Sequence, residues 1–111
     1  MKIDPRTIRD ANWELIRGHL AGPRQAVHAW LLAHGPATTG MIAEGTGIPL
    51  LTVRPRVTEL VQLGFAVCEG RNPFCWREGI YEAVPVERAR AAHQAAIEAA
   101  RAAGTQLALD F

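Results

Sequence analysis

The residue types that carry catalytic or metal chemistry occur in this sequence without forming a recognisable constellation. Cys68 and Cys75 lie close together in a segment with hairpin character, a spacing that allows a cross-strand disulfide or a metal site. Without a Cys-x-x-Cys motif or a nearby histidine pair the zinc signal is weak, and cytosolic disulfides are rare, so two reduced thiols are expected. The carboxylates are scattered, and no nucleophile has a recognisable neighbouring base. The sequence therefore predicts a protein that is not an enzyme and binds neither a metal nor another cofactor.

A second group of residues has the chemistry of nucleic-acid recognition. Arg54 and Arg56 stand on either side of Pro55, and Thr52 and Thr58 flank them in turn. An arginine can bond guanine bidentately, a threonine can contact the methyl group of thymine, and both can hold phosphates. These residue types at this spacing favour a binding surface rather than a catalytic one.

Two short helices joined by a tight turn are predicted to carry this surface, over Thr38 to Leu63. Thr38 or Thr39 supplies a hydroxyl N-cap to the first helix, and Gly45 and Gly47 supply the turn. In the second helix the apolar residues recur at i, i+4, i+7 and i+8, which is one face of a 3.6-residue period. These residues are Val53, Val57, Leu60 and Val61, and Gly64 ends the helix.

Pro55 complicates the start of the second helix, because a proline in a helix interior costs about 3 kcal/mol. With Leu51 or Thr52 as N-cap, Pro55 falls near the third or fourth helical position, where the cost is small. Alternatively the helix begins at Pro49 and bends at Arg54. The predicted outward residues are Leu51, Arg54, Pro55, Thr58 and Gln62, with Thr52, Arg56 and Glu59 beside them and the Glu59 carboxylate pointing outward.

A β-hairpin is predicted to follow, since β-forming residues flank the turn-rich segment Gly70-Arg71-Asn72-Pro73. The order helix, glycine-containing turn, helix, LGFAV and hairpin resembles the winged helix-turn-helix family over residues 23–84. The resemblance implies a DNA-binding protein whose second helix enters the major groove and whose hairpin tip reaches phosphate or the minor groove. Such a protein is a small transcriptional regulator or a phage-like, mobile-element replication accessory. The residues predicted to contact duplex DNA are Thr38, Thr39, Leu51, Thr52, Arg54, Arg56, Thr58, Arg71, Asn72 and Arg77.

Helices on both sides complete a mainly α fold with a small β-hairpin wing, an α+β winged helix-turn-helix. Residues 1–22 form an arm and a short helix, 23–84 the winged domain, 85–104 a C-terminal helix closed by Gly104, and 105–111 a tail. The C-terminal helix is rich in alanine and poor in large apolar residues, so it is expected to pack closely, either on the first helix or against a second copy as a homodimer. Alternatively, it acts as a semi-rigid spacer.

The tail itself carries a motif. Its sequence Gln106-Leu107-Ala108-Leu109-Asp110-Phe111 resembles the Gln-Leu-x-Leu-x-Leu/Phe peptide that binds the bacterial DNA-polymerase sliding clamp. The resemblance implies that the extended tail buries apolar side chains in a groove while its glutamine supplies a directional hydrogen bond. The predicted clamp-binding residues are Gln106, Leu107, Leu109 and Phe111. Alternatively, the apolar tail covers the protein's own domain.

Composition sets the outer limits. At 111 residues the chain is one domain, and its formal net charge of +1 neither supports nor excludes DNA as a partner. No apolar run approaches the roughly eighteen residues of a membrane span, and no signal peptide is evident, so a cytoplasmic protein is expected. Near-neutral charge, an outward Leu51 and the hairpin residues Phe74 and Trp76 also fit a second hypothesis, an adaptor that binds proteins in replication or regulation without reading DNA directly.

Overall fold

The computed structural model describes residues 13–72 and 75–109, with side chains described for residues 13–71 and 78–103. Helices come first, a hairpin follows, and a long helix ends the described chain. The helices are α1 (Trp13–Gly18), α2 (Gly22–His34), α3 (Thr39–Thr46), α4 (Leu50–Leu63) and α5 (Val86–Leu109). The strands are β1 (Ala37–Thr38), β2 (Ala66–Asn72) and β3 (Cys75–Ala83). This order confirms the predicted mainly helical winged helix-turn-helix architecture.

α3 begins and ends with the local signals expected for it. The Thr38 hydroxyl accepts a hydrogen bond from the Met41 amide at 3.2 Å, and Gly47 closes the helix in the left-handed region at φ 76°. Gly45, however, is a helical residue and not part of the turn. A Cβ added there would lie 2.5 Å from atoms of the Trp30 indole ring, so glycine is needed for close packing of α2 on α3.

α4 begins earlier than the favoured reading of its sequence predicts. Pro49 is the N-cap, and its carbonyl accepts from the amides of Thr52 and Val53 at 2.9 and 3.0 Å. The prediction of an N-cap at Leu51 or Thr52 is therefore wrong, whereas the alternative start at Pro49 agrees with the structure, and Pro55 lies inside the helix. The helix tolerates the proline because the packing of its apolar face outweighs one missing hydrogen bond.

The buried face of α4 also differs from the simple apolar pattern. Val53, Val57 and Leu60 are buried as expected, but Val61 is 37% exposed. Glu59 is 6% exposed instead, so the prediction of an outward carboxylate is wrong. The side chain is buried because two arginines neutralise it, an arrangement that hydrophobic periodicity does not register.

The wing is a three-stranded antiparallel sheet of order β1-β3-β2, one strand more than the predicted hairpin. The additional strand pairs Ala37 with Tyr81 and Thr38 with Ile80. Two residues are too few to show an alternating pattern, which is why the sequence did not indicate β1. The strand ties the start of α3 to the hairpin, and thereby fixes the helix-turn-helix relative to the wing.

One core holds these layers together. α2 contributes Val27 and Leu31, and α3 contributes Ile42. Phe65, the second residue beyond α4, is fully buried in the same core. His28 on α2 donates from Nε2 to the Val84 carbonyl at 2.8 Å, which ties α2 to the chain just beyond β3. This bond satisfies two polar groups that would otherwise be costly to bury.

The two flanking helices contribute to the core to different extents. α1 ends at Gly18, and the centroid of its Trp13 ring lies 5.9 Å from the centroid of the Phe65 ring. α5 does not stop at Gly104 but continues to Leu109, so the predicted helix end is wrong. A single internal glycine costs only about 1 kcal/mol, and the alanines, Gln106 and Leu107 around it are strong helix formers. Within residues 86–103, Ala89 is the buried side chain of α5.

Candidate nucleic-acid interface

The outward face of α4 is an exposed surface with a single cation near its centre. Leu51 is 81% exposed, and Arg54, Pro55 and Thr58 are exposed as well. Thr52 is half-buried at the edge of this face. The Thr58 hydroxyl donates to the Arg54 carbonyl at 3.2 Å, so its proton is used within the helix. The structure therefore brings Leu51, Arg54 and Thr58 of the predicted set together on one face.

Arg56 lies on a different side of the helix, in an ion-pair cluster that joins α4 to α2. Its Nε donates to Oε1 of Glu59, one turn along. The opposite partner is Arg24 of α2, which reaches Glu59 Oε2 from Nη2 at 2.8 Å and Oε1 from Nε at 3.2 Å. A further bond from Arg24 Nη1 to the His19 carbonyl, at 3.3 Å, holds the guanidinium in place. Arg56 is bound through Nε, which leaves its two Nη groups for an anion.

This cluster keeps Glu59 ionised. Hydrogen bonds from Arg24 and then Arg56 lower the pKa of the Glu59 carboxyl from its ordinary value, and they outweigh the opposing effect of burial. Two guanidinium groups and one carboxylate give the cluster a net charge of +1. Positive charge therefore remains at the edge of α4 although an acid is buried there.

The two threonines at the start of α3 have different positions. Thr38 is 8% exposed, and its hydroxyl oxygen already accepts the Met41 amide. It serves as a helix cap, which leaves it out of the interface proposed below. Thr39 is half-buried and lies next to it.

The hairpin presents both signs of charge. Arg71 is exposed near its tip, whereas the side chains of Asn72 and Arg77 lie outside those that the structure describes. Across the strands, a hydrogen bond with Glu82 and repulsion between the two carboxyls raise the pKa of Glu69. Glu69 is exposed and Glu82 is half-buried, so these acids oppose contact of this part of the wing with phosphates.

The cysteines do not face one another. Cys68 pairs with Tyr81 and Cys75 with Asn72, so the strand register separates them. The Cys68 thiol is exposed and donates to the Gly70 carbonyl at 3.4 Å. Over residues 13–72 and 75–109, no three His, Cys, Asp or Glu side chains stand close enough to hold a metal ion. In the same part of the chain, none of the helices has the length and apolar character needed to cross a bilayer.

Sequence reasoning missed Arg24 and misplaced Glu59. The i, i+3 spacing of Arg56 and Glu59 on a helix was a usable signal for a side-chain pair. Nothing in the sequence indicated that Arg24, 35 residues from Glu59, would complete the cluster. That contact depends on how α2 packs on α4.

Solved structures with the same fold come from transcriptional regulators. The chain superposes on reduced AbfR bound to DNA with a TM-score of 0.56 and 20% identity, covering 78% of this chain and 65% of that one. A probable transcriptional regulator from Pseudomonas aeruginosa superposes with a TM-score of 0.56 and 22% identity, covering 86% of this chain and 70% of that one. The PcaV transcriptional regulator from Streptomyces coelicolor, in complex with its natural ligand, superposes with a TM-score of 0.54 and 18% identity. The match covers 100% of this chain and 92% of that one.

These similarities establish the class of fold, a winged helix. The chain spans about two thirds of the length of the DNA-bound AbfR structure. No protein-family model matches the sequence, and no curated protein resembles it significantly. Because one fold supports many functions, the role of this chain has to be argued from its own surface.

Proposed function

We propose that the protein is a duplex-DNA-binding winged-helix regulator of transcription, with α4 as the helix that enters the major groove. The observation that carries the proposal is the exposed face of α4, where Arg54 stands beside Leu51 and Thr58 within a helix-turn-helix. Helices of this arrangement present their exposed side chains to base edges. The proposal is that of a cytoplasmic, non-enzymatic DNA-binding protein.

Each arginine of α4 has a separate role in this proposal. Arg54 is exposed on the outward face, where a guanidinium can reach a guanine edge or a phosphate. Arg56 lies at the edge facing α2, with 27% of its side chain exposed and its Nε held by Glu59. From that position its Nη groups are suited to the sugar-phosphate backbone, while Arg71 extends the contact from the wing.

The test is the affinity of the full chain for duplex DNA at several salt concentrations. Neutralising one phosphate contributes about 0.9 to the slope of log affinity against log salt, so losing one arginine contact should lower the slope by about that amount. We expect Arg54→Ala and Arg56→Ala each to reduce both affinity and slope. Arg88→Ala removes an exposed charge from α5 and serves as the matched control.

These affinity measurements test two assignments separately: α4 as the recognition helix, and duplex DNA as the partner. If the double variant Arg54→Ala and Arg56→Ala binds with unchanged affinity and slope, α4 is not the recognition helix. If the wild-type chain binds no duplex at low salt, the DNA-binding proposal fails and the adaptor hypothesis replaces it.

The tail motif supports a second proposal, a tether to the sliding clamp. It rests on the sequence Gln106-Leu107-Ala108-Leu109-Asp110-Phe111. Since α5 runs to Leu109, binding in an extended form requires the last helical turn to open. Purified clamp should retain the full chain, but not a chain ending at Thr105. Equal retention of both would refute the tether.

We also propose a homodimer through α1 and α5. Leu15 on α1 is 61% exposed, and α5 carries the half-buried Ile97 along an otherwise exposed stretch. Beside Ile97, the Nε2 atom of His93 is buried without a hydrogen-bond partner among the described residues. Sedimentation equilibrium should give a dimer mass for the wild type and a monomer mass for Ile97→Glu, with Ala99→Glu as control. A monomeric wild type would contradict this assembly.

A further inference from the structure

Beside Arg54, the exposed face of α4 carries a row of residues that donate no hydrogen bond outward. Leu51, Pro55 and Thr58 follow one another at i, i+4 and i+7, a spacing that places them on one side of a helix. We name these three residues the apolar stripe. Leu51 has no polar atom in its side chain, Pro55 has no amide proton, and the Thr58 proton is bonded to the Arg54 carbonyl.

The first residue of the apolar stripe, Leu51, is widely exposed to solvent. Leu51 is 81% exposed, more than any other large apolar side chain that the structure describes. Single exposed leucines are common on protein surfaces, so exposure alone would mean little. Here the leucine is aligned with two further residues whose outward groups are carbon-rich, on the exposed face of the helix that a winged helix directs towards DNA.

The charge next to the stripe indicates what covers it. Arg54 borders it, exposed, and Arg56 lies further round the same helix with its Nη groups unengaged among the described residues. An apolar surface bordered by guanidinium groups complements a polyanion that also carries apolar groups. In the major groove, the C5-methyl group of thymine is the apolar feature that distinguishes one base from another.

We propose that α4 recognises 5-methylpyrimidines in the major groove, with the apolar stripe contacting thymine methyl groups and Arg54 bonding a neighbouring base or phosphate. This inference rests on the proposed DNA-binding function and names the base feature that is read. It implies sites rich in thymine opposite the stripe. It also implies that 5-methylcytosine can take the place of thymine for this contact, since both carry the same methyl group at C5.

The size of the effect follows from the burial of a methyl group. Removing one methyl from water favours binding by a free energy equivalent to about fourfold in affinity. Replacing thymine by uracil deletes the C5-methyl group and keeps base pairing unchanged. We therefore expect about fourfold weaker binding for each contacted thymine that is replaced.

The experiment uses the full chain and the tightest duplex selected from a random pool. That duplex is synthesised once with thymine and once with uracil in place of thymine. Wild-type protein should bind the uracil duplex at least fourfold more weakly than the thymine duplex, and Leu51→Ala and Leu51→Gln should reduce this ratio towards one. Leu32→Ala removes a 48% exposed leucine from α2 and should keep the full ratio.

The Leu51 variants separate a direct contact from a change in DNA shape. If uracil weakens binding only because it alters the duplex, the Leu51 variants will show the same ratio as the wild type, and the inference is overturned. Equal affinity of the wild type for the thymine and uracil duplexes also overturns it, while leaving the DNA-binding function standing. If the wild-type protein binds no duplex at all, both the methyl-recognition inference and the proposed DNA-binding function are overturned.

Discussion

The ion-pair cluster of Arg24, Glu59 and Arg56 predicts a defined loss of stability when its carboxylate is neutralised. Glu59→Gln preserves the shape of the side chain but removes the charge that both guanidinium groups share. The two arginines would then face each other across a neutral amide, and one of the amide's ends would present hydrogens to donors. We expect the variant to fold, with a lower free energy of unfolding.

The magnitude follows from the burial of the three side chains. Breaking a fully buried ion pair costs about 3–5 kcal/mol, whereas an exposed pair contributes about 0–1 kcal/mol. The side chain of Glu59 is 8% exposed, that of Arg24 17% and that of Arg56 27%, which places the cluster between these limits. Because glutamine keeps one acceptor, we expect a loss of about 1–3 kcal/mol.

The assay is urea unfolding followed by tryptophan fluorescence and circular dichroism. Glu44→Gln neutralises an exposed acid on α3 and should change the free energy of unfolding by less than about 0.5 kcal/mol. Arg24→Met and Glu59→Met, made singly and together, form a double-mutant cycle that measures the coupling energy of this pair. The double variant leaves neither partner of that pair uncompensated, so it should lose less than the sum of the singles, by about 0.5–3 kcal/mol.

The pH dependence of the free energy of unfolding gives an independent check on the contribution of Glu59. Since the pKa of Glu59 is lowered by folding, its ionised form contributes stability above the pKa of the unfolded chain, about 4.3. That contribution is lost as pH falls through the lower pKa of the folded state. The gap between wild type and Glu59→Gln should therefore be full at pH 7 and shrink below about pH 4. A gap below about 0.5 kcal/mol at pH 7, or one that does not change with pH, would refute this account of the cluster.

Three further substitutions test the contacts that position α4 and the wing. Thr38→Val removes the hydroxyl that caps α3 and should cost about 0.5–2 kcal/mol in urea unfolding. Gly45→Ala places a methyl group against the Trp30 indole and should cost about 1–3 kcal/mol, with a change in tryptophan fluorescence. His28→Leu removes the donor to the carbonyl between β3 and α5 and should lower the midpoint of thermal unfolding, at a cost of about 1–3 kcal/mol.

The first two of these have a matched comparison. Thr39→Val changes the neighbouring threonine, which does not cap α3, and should be close to neutral. Gly18→Ala adds a methyl group where nothing lies within 4 Å, so it isolates the steric effect at Gly45. If Thr38→Val is as stable as wild type, or Gly45→Ala as stable as Gly18→Ala, the corresponding contact does not contribute as described.

The parts of the fold that follow local rules were predictable from the sequence. The Thr38 cap, the Gly47 and Gly64 helix ends and the apolar face of α4 depend on residues within one or two turns of each other. β1, the start of α4 and the end of α5 did not follow from these local rules. β1 exists because β3 is beside it, and α4 accepts Pro55 because its apolar face packs on α2. Long-range packing decides such features, and a single sequence shows only the local preferences that it overrides.

The arrangement of the candidate site also depends on long-range packing, because that packing sets the rotation of α4 about its own axis. With only Val53, Val57, Leu60 and Val61 considered, the inner face of the helix would include Val61 and leave Glu59 outside. In the structure the helix is turned the other way: Glu59 is buried and paired with Arg24, Leu63 is buried, and Val61 is exposed. At 100° per residue, Arg54 and Arg56 lie about 160° apart around the helix. The rotation that buries Glu59 therefore carries Arg56 towards α2 and leaves Arg54 beside Leu51 and Thr58 on the outward face. In the proposed function, the orientation of α4 that buries Glu59 thus leaves Arg54, and not Arg56, on the face that would meet the bases.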